Sequence, residues 1–407
     1  MSSLFPPAPT PATKLGRYRQ LAPRAAVHVS PLALGGMSIG DKWAKIGMGA
    51  MDKESSFKLL DAYFDAGGNH IDTANEYQHG SSEEFIGEWA ETRGYRDQLV
   101  IATKISEYTS QGRGHDDTIK QKTSFMGNNA KSLKLSVDLS LERLRTTYID
   151  ILYVHWWDLH TSVEEIMDSL HHLVVAGKVL YLGISDSPAW FIVKANDYAK
   201  ANGKTPFAVC QVPYSVLRRD IEREILPMCK HEGSSQLGIA LVLFWTLAGG
   251  KIRTDAEEEK RRTTGEGGRT MMGPWERTED EKKMCTALEV VAKQVGTKHI
   301  TAVAIAYTMH KAPFVFPIIG GRKPEQLLAN IEALDITLSR EQIAYIEGVL
   351  PFDRGFPNGL LGEYGHGTYP FLMTTYAAFD PQPVLPPVLP AAQQREANTT
   401  AVSGEHS

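Results

Sequence analysis

Cysteine is scarce in this chain. Three cysteines occur in 407 residues, at Cys210, Cys229 and Cys285, with no Cys-x-x-Cys spacing. That excludes a disulfide scaffold and argues against a structural zinc site. No run of ~18 apolar residues is present, so no transmembrane helix is expected. The first residues, MSSLFPPAPTPATKLGRYRQ, hold no apolar core of a secretory signal. Basic excess is also missing: the net charge is −5, which argues against a general nucleic-acid binder. A Rossmann-type Gly-x-Gly-x-x-Gly after a strand is absent too. The expectation is a cytoplasmic protein with neither a membrane nor a nucleic-acid partner. Its oligomeric state cannot be read from the sequence.

What is present is an ordinary globular composition, 42% hydrophobic and 22% charged, enough for a large core. Residues 1–15 are rich in Pro, Ala, Ser and Thr and read as a flexible tail. Two short extended runs around Pro23, within residues 17–30, read as a β-hairpin. From residue 31 short apolar runs alternate with amphipathic stretches. The runs are Leu32–Leu34, His70–Thr73, Leu99–Thr103, Ile149–His155, Val179–Ser185, Phe207–Val212, Ile239–Phe244 and Phe314–Ile319. Several are near-continuous in Val, Ile and Leu, as strands buried on both faces must be.

Helices fill the gaps. Ile166, Leu170, Leu173 and Val174 share one helical face, with Ser162 and Glu165 spaced as a capping box. Leu133, Val137, Leu141 and Leu144 form a second stripe. Further helices are expected near 54–66, 81–92, 188–202, 217–231, 281–295, 300–311, 324–333 and 340–349. Eight βα units point to an α/β fold, a (β/α)8 TIM barrel with an N-terminal β-hairpin and a long C-terminal loop and tail. An open doubly wound sheet is the alternative. Residues 16–379 would form the barrel with its C-terminal loop, and the Pro-rich segment 380–407 a disordered tail. Three connections are long: 105–128, the charged and Gly-rich 251–280, and 352–379. The last carries Phe352, Phe356, Tyr364, Tyr369, Phe371, Tyr376 and Phe379 and reads as a cover over an apolar pocket.

Four reactive side chains lie at or just past strand ends: Asp72, Tyr77, Lys104 and His155. In a barrel, strand ends and the following loops form one mouth. A Tyr hydroxyl with a reference pKa near ~10 is a poor acid at neutral pH, and a neighbouring ammonium should lower that value. Asp72 would hold Lys104 charged, and His155 would donate to an oxyanion. Each residue alone has a structural reading as a cap, turn or packing residue. A Lys closing an apolar strand is the least ordinary, because an unpaired buried ammonium is costly.

In this order the four residues resemble the catalytic tetrad of the aldo-keto reductase superfamily. The resemblance rests on HIDTANEYQHGSSEEFIGEW (with Gly80, Ser82 and Glu83), LVIATK and IDILYVHWWD, and spans roughly residues 17 to 350. VLYLGISDSPAW, ILPMCKHEG, HKAPFVFPIIGGRKPEQL and NIEAL are similar to the fungal aryl-alcohol dehydrogenases and norsolorinic acid reductase-like enzymes. The resemblance implies an NADP(H)-dependent oxidoreductase acting on aromatic aldehydes, ketones or alcohols. A place in aromatic polyketide secondary metabolism is part of that implication. Tyr77 would be the general acid, and Tyr77, His155 and Trp156 would meet the substrate.

The same resemblance implies a cofactor set. Ser185, Asp186 and Gln211 would face the nicotinamide carboxamide and Phe244 would stack on the ring. Gly36, Met37, Asp72, Leu247, Gly249 and Lys251 would line the rest of the nicotinamide and phosphate path. Gly320, Gly321, Arg322, Gln326 and Asn330 would hold the adenosine end, with Arg322 able to meet a 2′-phosphate. Four positions depart from the family pattern: Asp186 for Asn, Phe244 for Trp, Gly36 for Thr and Ala329 for Glu. Two other classes are weighed against this reading. One is a cofactor-sensing regulatory barrel, which the full tetrad argues against. The other is a metal-dependent barrel hydrolase drawing on the 13 histidines, but no His-x-His pair closes a strand. Trp156 and Trp157 are together expected to make the substrate pocket broad and flat.

Overall fold

A computed structural model describes residues 8–47, 49–105, 118–232, 238–265, 268–270, 273–361, 371–380 and 390. Two strands, β1 (Arg19–Ala22) and β2 (Ala25–Val29), pair antiparallel as the expected hairpin. Eight parallel strands then close a barrel: β3 (Ala33–Gly35), β4 (His70–Asp72), β5 (Val100–Ile105), β6 (Ile149–Val154), β7 (Val179–Ser185), β8 (Val209–Pro213), β9 (Ala240–Phe244) and β10 (Val315–Ile319). Closure is made by β10 against β3, and no open doubly wound sheet forms. Every residue of β5 and β6 is buried, which explains why the two strands are mostly apolar.

Alternation along each strand sorts side chains between two cores. Leu34, Ile71, Ile101, Leu152, Leu182 and Leu241 face the ring of helices. Val100, Ala102, Ile151, Tyr153, Val209, Val242 and Phe316 fill the barrel, where Leu21, Ala22, Ala25 and Val29 of the hairpin join them. The hairpin therefore closes the end of the barrel opposite the loops that follow the strands, and those loops form the mouth. Register then decides what reaches that mouth. Asp72 lies beside Gly35 and Ala102, and Ser185 beside Gln211.

The outer ring includes α1 (Lys53–Asp65), α2 (Ser81–Arg93), α3 (Ala130–Arg143), α4 (Val163–Val175), α5 (Ala189–Ala201), α6 (Ile225–His231), α7 (Asp255–Thr264), α8 (Glu279–Val295), α9 (Ile300–Met309), α10 (Pro324–Ile331) and α11 (Arg340–Val349). Four expectations need correction. The helix expected over 217–231 keeps only Ile225–His231, because Ser215 and Arg218 close a turn backbone to backbone ahead of it. The capping box at α4 is half present: Ser162 caps the Glu165 N–H, but the Glu165 carboxylate accepts from Ala130 N instead. The 251–280 connection contains α7, which has no apolar stripe to announce it. Its single buried side chain is Glu258, held by Arg253 and Arg277. The tail expected over 1–15 ends before residue 15, since Leu15 is fully buried and Lys14 pairs with Asp335.

The aromatic residues expected to form a C-terminal cover do not share one placement. Phe352 lies under the guanidinium groups of Arg219 and Arg223, each 4.8 Å from its ring centroid. Phe356 and Tyr376 instead stand almost fully exposed. Tyr364, Tyr369, the side chain of Phe371 and nearly all of 380–407 lie outside the described residues.

His70 sits wholly buried in the barrel, and neither ring nitrogen has a hydrogen-bond partner among the described residues. Burial, with a smaller push from the Lys104 charge, lowers its pKa to about 4. The folded protein thus resists protonating a group that an unfolded chain protonates near ~6.5. Stability from this group is complete above that value and is lost as pH falls toward 4. The loss should approach the order of 3 kcal/mol. Urea midpoints followed from neutral to acid pH should show a decline that is shallower in His70→Phe.

Candidate active site

Lys104 is the penultimate residue of β5, with its side chain wholly buried. Its ammonium donates to Asp72 Oδ1 at 2.6 Å, to the Thr73 carbonyl at 2.7 Å and to the Tyr77 hydroxyl at 3.3 Å. Three acceptors for three protons remove the cost of burying the charge. Burial lowers the Lys104 pKa, but Asp72 and then Tyr77 more than offset it, so the net shift is upward. Asp72 keeps its second oxygen on Gln211 Nε2 at 2.7 Å. A chain of contacts thus runs from β8 through β4 and β5 to Tyr77. It delivers a permanently charged ammonium to one phenol.

Tyr77 follows β4 in a short 3-10 turn. Its ring meets His155 edge-on, with centroids 6.1 Å apart. His155 follows β6, tied by its N–H to the Ile105 carbonyl at 3.2 Å. All four residues singled out in the sequence therefore meet at one mouth. Their electrostatics differ from expectation at one point. Burial raises the Tyr77 pKa above its usual value, and Lys104 only offsets part of the rise. The phenol is thus protonated at neutral pH. Burial, then the Lys104 charge, holds the His155 pKa well below the usual imidazole value. His155 is neutral and keeps one N–H to donate.

The motif after Tyr77 holds this loop. Ser82 Oγ donates to the Gly36 carbonyl at 2.9 Å and shares a hydrogen bond with Thr73 Oγ1 at 2.8 Å. Glu83 is wholly buried, accepts from Thr103 Oγ1 at 2.6 Å and faces Arg143 at 3.6 Å. Arg143 in turn donates to the Asn75 carbonyl at 2.8 Å. Gly80 makes room for it, with φ +94° and a notional Cβ only 2.3 Å from the Arg143 guanidinium carbon.

The residues expected at a dinucleotide divide into groups. Ser185 ends β7 almost fully buried, and its hydroxyl has no hydrogen-bond partner among the described residues. An orphaned buried hydroxyl at the mouth is what a carboxamide would complete. Asp186 follows at φ +40°, its N–H on the Gln211 carbonyl at 3.2 Å. Lost hydration raises its carboxyl pKa to about 6, against the pull of Arg218 and Lys104. Gly36 and Met37 form a turn after β3. A Cβ at Gly36 would lie 3.0 Å from the Asp72 carbonyl and Ser82 Oγ, so this chain has little room for the larger residue common there. Phe244 ends β9 half-buried, and Leu247 and Gly249 follow in the next turn. Lys251 is engaged elsewhere, donating to the Glu276 carbonyl at 2.5 Å and pairing with Glu281 at 3.3 Å.

At the other end Gln326 Oε1 accepts from Arg322 N at 2.9 Å, and Asn330 Nδ2 donates to the Gly320 carbonyl at 3.5 Å. Gly321 lies against Gln326, where a Cβ would be 3.1 Å from Oε1. These contacts shape the Gly320–Arg322 turn ahead of α10. Arg322 has no ion pair among the described residues. The sequence reading missed Arg269, which donates to Ser38 Oγ at 2.8 Å while Thr270 N donates to the Gly47 carbonyl at 3.0 Å. A notional Cβ at Gly49 lies 3.9 Å from Arg322 Nη1 and 4.0 Å from Ser38 Oγ. Two guanidinium groups thus gather at one side of the mouth, with no ion pair for either among the described residues. Nothing in the Gly-Gly-Arg-Thr sequence marks Arg269; only the crossing of its loop brings it there.

The two tryptophans after His155 separate. Trp156 lies against the His155 ring at 4.4 Å. Trp157 packs away from the mouth, stacked on Phe191 at 4.1 Å with its indole N–H on the Thr161 carbonyl. An open cleft of about 560 Å3 lined by Met126, Asp158, His160 and Glu165 lies outside the tetrad. Its Asp158 is already satisfied by Asn128 N, His160 N and Thr161. No group of residues able to hold a metal ion occurs among the described residues. No helix among them is long and apolar enough to cross a membrane.

Residues 31–351 match the aldo/keto reductase family. The chain belongs to that family. It is 56% identical to an aryl-alcohol dehydrogenase of Phanerodontia chrysosporium, whose name specifies NADP(+), over 89% of this chain and 93% of that one. It is 49% identical to norsolorinic acid reductase A of Aspergillus parasiticus, over 91% of each chain. An aldo-keto reductase of Emericella nidulans is 50% identical over 88% of each.

The Gly80 geometry gives a direct test of this aldo/keto reductase scaffold. Gly80→Ala places a methyl group into Arg143 at a left-handed backbone position. It should destabilise the fold by about 2 kcal/mol, read as a lower urea midpoint.

Proposed function

We propose that this aldo/keto reductase uses NADP(H) to interconvert aromatic aldehydes or ketones and their alcohols, with Tyr77 as the proton-transferring group. The observation that carries the reading is the Lys104 ammonium bonded at once to Asp72 and Tyr77. A reduced nicotinamide, when bound, would supply the hydride to the carbonyl carbon. The chain's own residues do the rest. The neutral His155 and the protonated Tyr77 both face the mouth, and together they can donate to a carbonyl oxygen. Charge builds on that oxygen as the carbonyl is reduced, and Tyr77 transfers its proton there. The phenolate left behind is stabilised by Lys104, whose own charge Asp72 maintains. In the alcohol-oxidising direction the same phenolate takes the proton back.

Ser185, Asp186 and Gln211 are the residues that would hold the carboxamide, with Phe244 beside the ring. Arg322 and Arg269 would meet the phosphates, and Arg322 favours the 2′-phosphorylated form. The names of the relatives from Phanerodontia chrysosporium and Aspergillus parasiticus support aromatic substrates. A role in polyketide secondary metabolism follows the second of these.

Tyr77→Phe should lower the turnover of an aryl aldehyde by roughly a thousandfold or more while leaving the NADPH dissociation constant within about twofold. An unchanged kcat would refute the assignment of Tyr77. A second outcome concerns Asp186, whose carboxyl can donate a hydrogen bond only below its pKa of about 6. Cofactor affinity should therefore weaken as pH rises through that value. Asp186→Asn, which always has an amide to donate, should flatten the dependence in fluorescence titrations.

A further inference from the structure

The catalytic pair is not isolated among apolar residues but sits within a row of rings. Trp43, from the loop between β3 and α1, meets Tyr77 edge-on with centroids 6.2 Å apart and His79 at 5.9 Å. Tyr77 meets His155 at 6.1 Å, and His155 lies against Trp156 at 4.4 Å. Trp43 and Trp156 thus stand at the two ends of an arc centred on the groups that face the carbonyl. All four of Trp43, Tyr77, His155 and Trp156 are half-buried rather than sealed in the core.

The Trp43 backbone is tied to the turn after β4 by the Gln78 side chain. Gln78 is wholly buried and follows Tyr77 at φ +57°. Its Oε1 accepts from Trp43 N at 2.8 Å, and its Nε2 donates to the Met37 carbonyl at 3.0 Å and the Gly49 carbonyl at 2.9 Å. The loop comes close enough to need Gly40, where a Cβ would lie 2.6 Å from Gln78 Cβ. One amide therefore fixes three points of a loop of more than ten residues against the residue next to the catalytic phenol. A left-handed non-glycine backbone is kept only where the surroundings require it.

We propose that Trp43 is a specificity-determining wall that selects flat, extended aryl carbonyl compounds, and that Gln78 is the positioning residue that sets this wall. The inference rests on the reading of the mouth as a carbonyl-reducing site and adds the residue that measures substrate breadth. A fused aromatic ring reaching beyond Tyr77 gains an edge or face contact with Trp43, whereas a short aliphatic aldehyde does not reach it. One such contact is worth up to about tenfold in affinity.

The test compares the full-length protein with Trp43→Ala, Trp43→Phe and Gln78→Met, using 2-naphthaldehyde and propanal with NADPH. Trp43→Ala should raise the KM for 2-naphthaldehyde by about tenfold and that for propanal by about twofold or less. Trp43→Phe should recover most of the loss. Gln78→Met, similar in size but unable to hold the loop, should reproduce the split in KM with a much smaller effect on kcat. Equal shifts for both aldehydes, or no shift for either, would overturn the proposal. A wild-type protein that reduces neither aldehyde would defeat the reaction assigned above but not this inference. Calorimetric binding of 2-naphthylmethanol then decides it. A tenfold weaker dissociation constant in Trp43→Ala supports the wall, and an unchanged one removes it. Should Trp43→Ala fail to fold by circular dichroism, Trp43→Leu carries the same comparison.

Discussion

A buried positive charge organises this molecule. The Lys104 ammonium is withdrawn wholly from water, a placement that would be prohibitive without partners. Asp72, the Thr73 carbonyl and Tyr77 supply them, and Gln211 satisfies the other side of Asp72. That arrangement needs β4, β5 and β8 at one radius and one height, which barrel closure and parallel register provide. The stability requirement and the chemical one therefore coincide. The contacts that let the ammonium be buried are the same contacts that aim it at a phenol.

Around this centre the structure invests in loops rather than strands. Ser82 ties Thr73 to Gly36, Glu83 ties Thr103 to Arg143, and Arg143 reaches Asn75. Gln78 ties the β3–α1 loop to the residue after Tyr77. Each tie is a buried polar group whose loss would leave a donor or acceptor unpaired, so the mouth is held by directional contacts. Apolar packing alone would leave such loops free to shift by an ångström, enough to misplace a proton donor. The raised Tyr77 pKa and the depressed His155 pKa are products of the same enclosure. The first keeps the phenol protonated and the second keeps the imidazole neutral.

The reading of the strands from sequence succeeded because burial on both faces leaves a compositional mark that needs no partner to be seen. The helices with apolar stripes, such as α3 and α4, were equally legible. The failures share a cause. α7 has only Glu258 buried and is held by Arg253 and Arg277, so it lacks the periodicity that a sequence displays. Glu165 had the spacing of a capping box, but a neighbouring loop offered Ala130 N as a better donor. Trp156 and Trp157 were indistinguishable as neighbours in sequence. The turn after β6 sends one toward His155 and the other against Phe191.

Sequence by itself determined the barrel, the family and the meeting of Asp72, Tyr77, Lys104 and His155, because strand-end residues in fixed order carry their identity along the chain. Only the folded chain decided how those residues are tuned and what surrounds them. Tyr77 titrates higher than its neighbour Lys104 alone would imply, since burial outweighs a single charge. Arg269 and Trp43 reach the mouth from long loops whose composition gives no sign of their direction. Loop paths are set by contacts between residues far apart in the chain, and such contacts exist only after the barrel has closed.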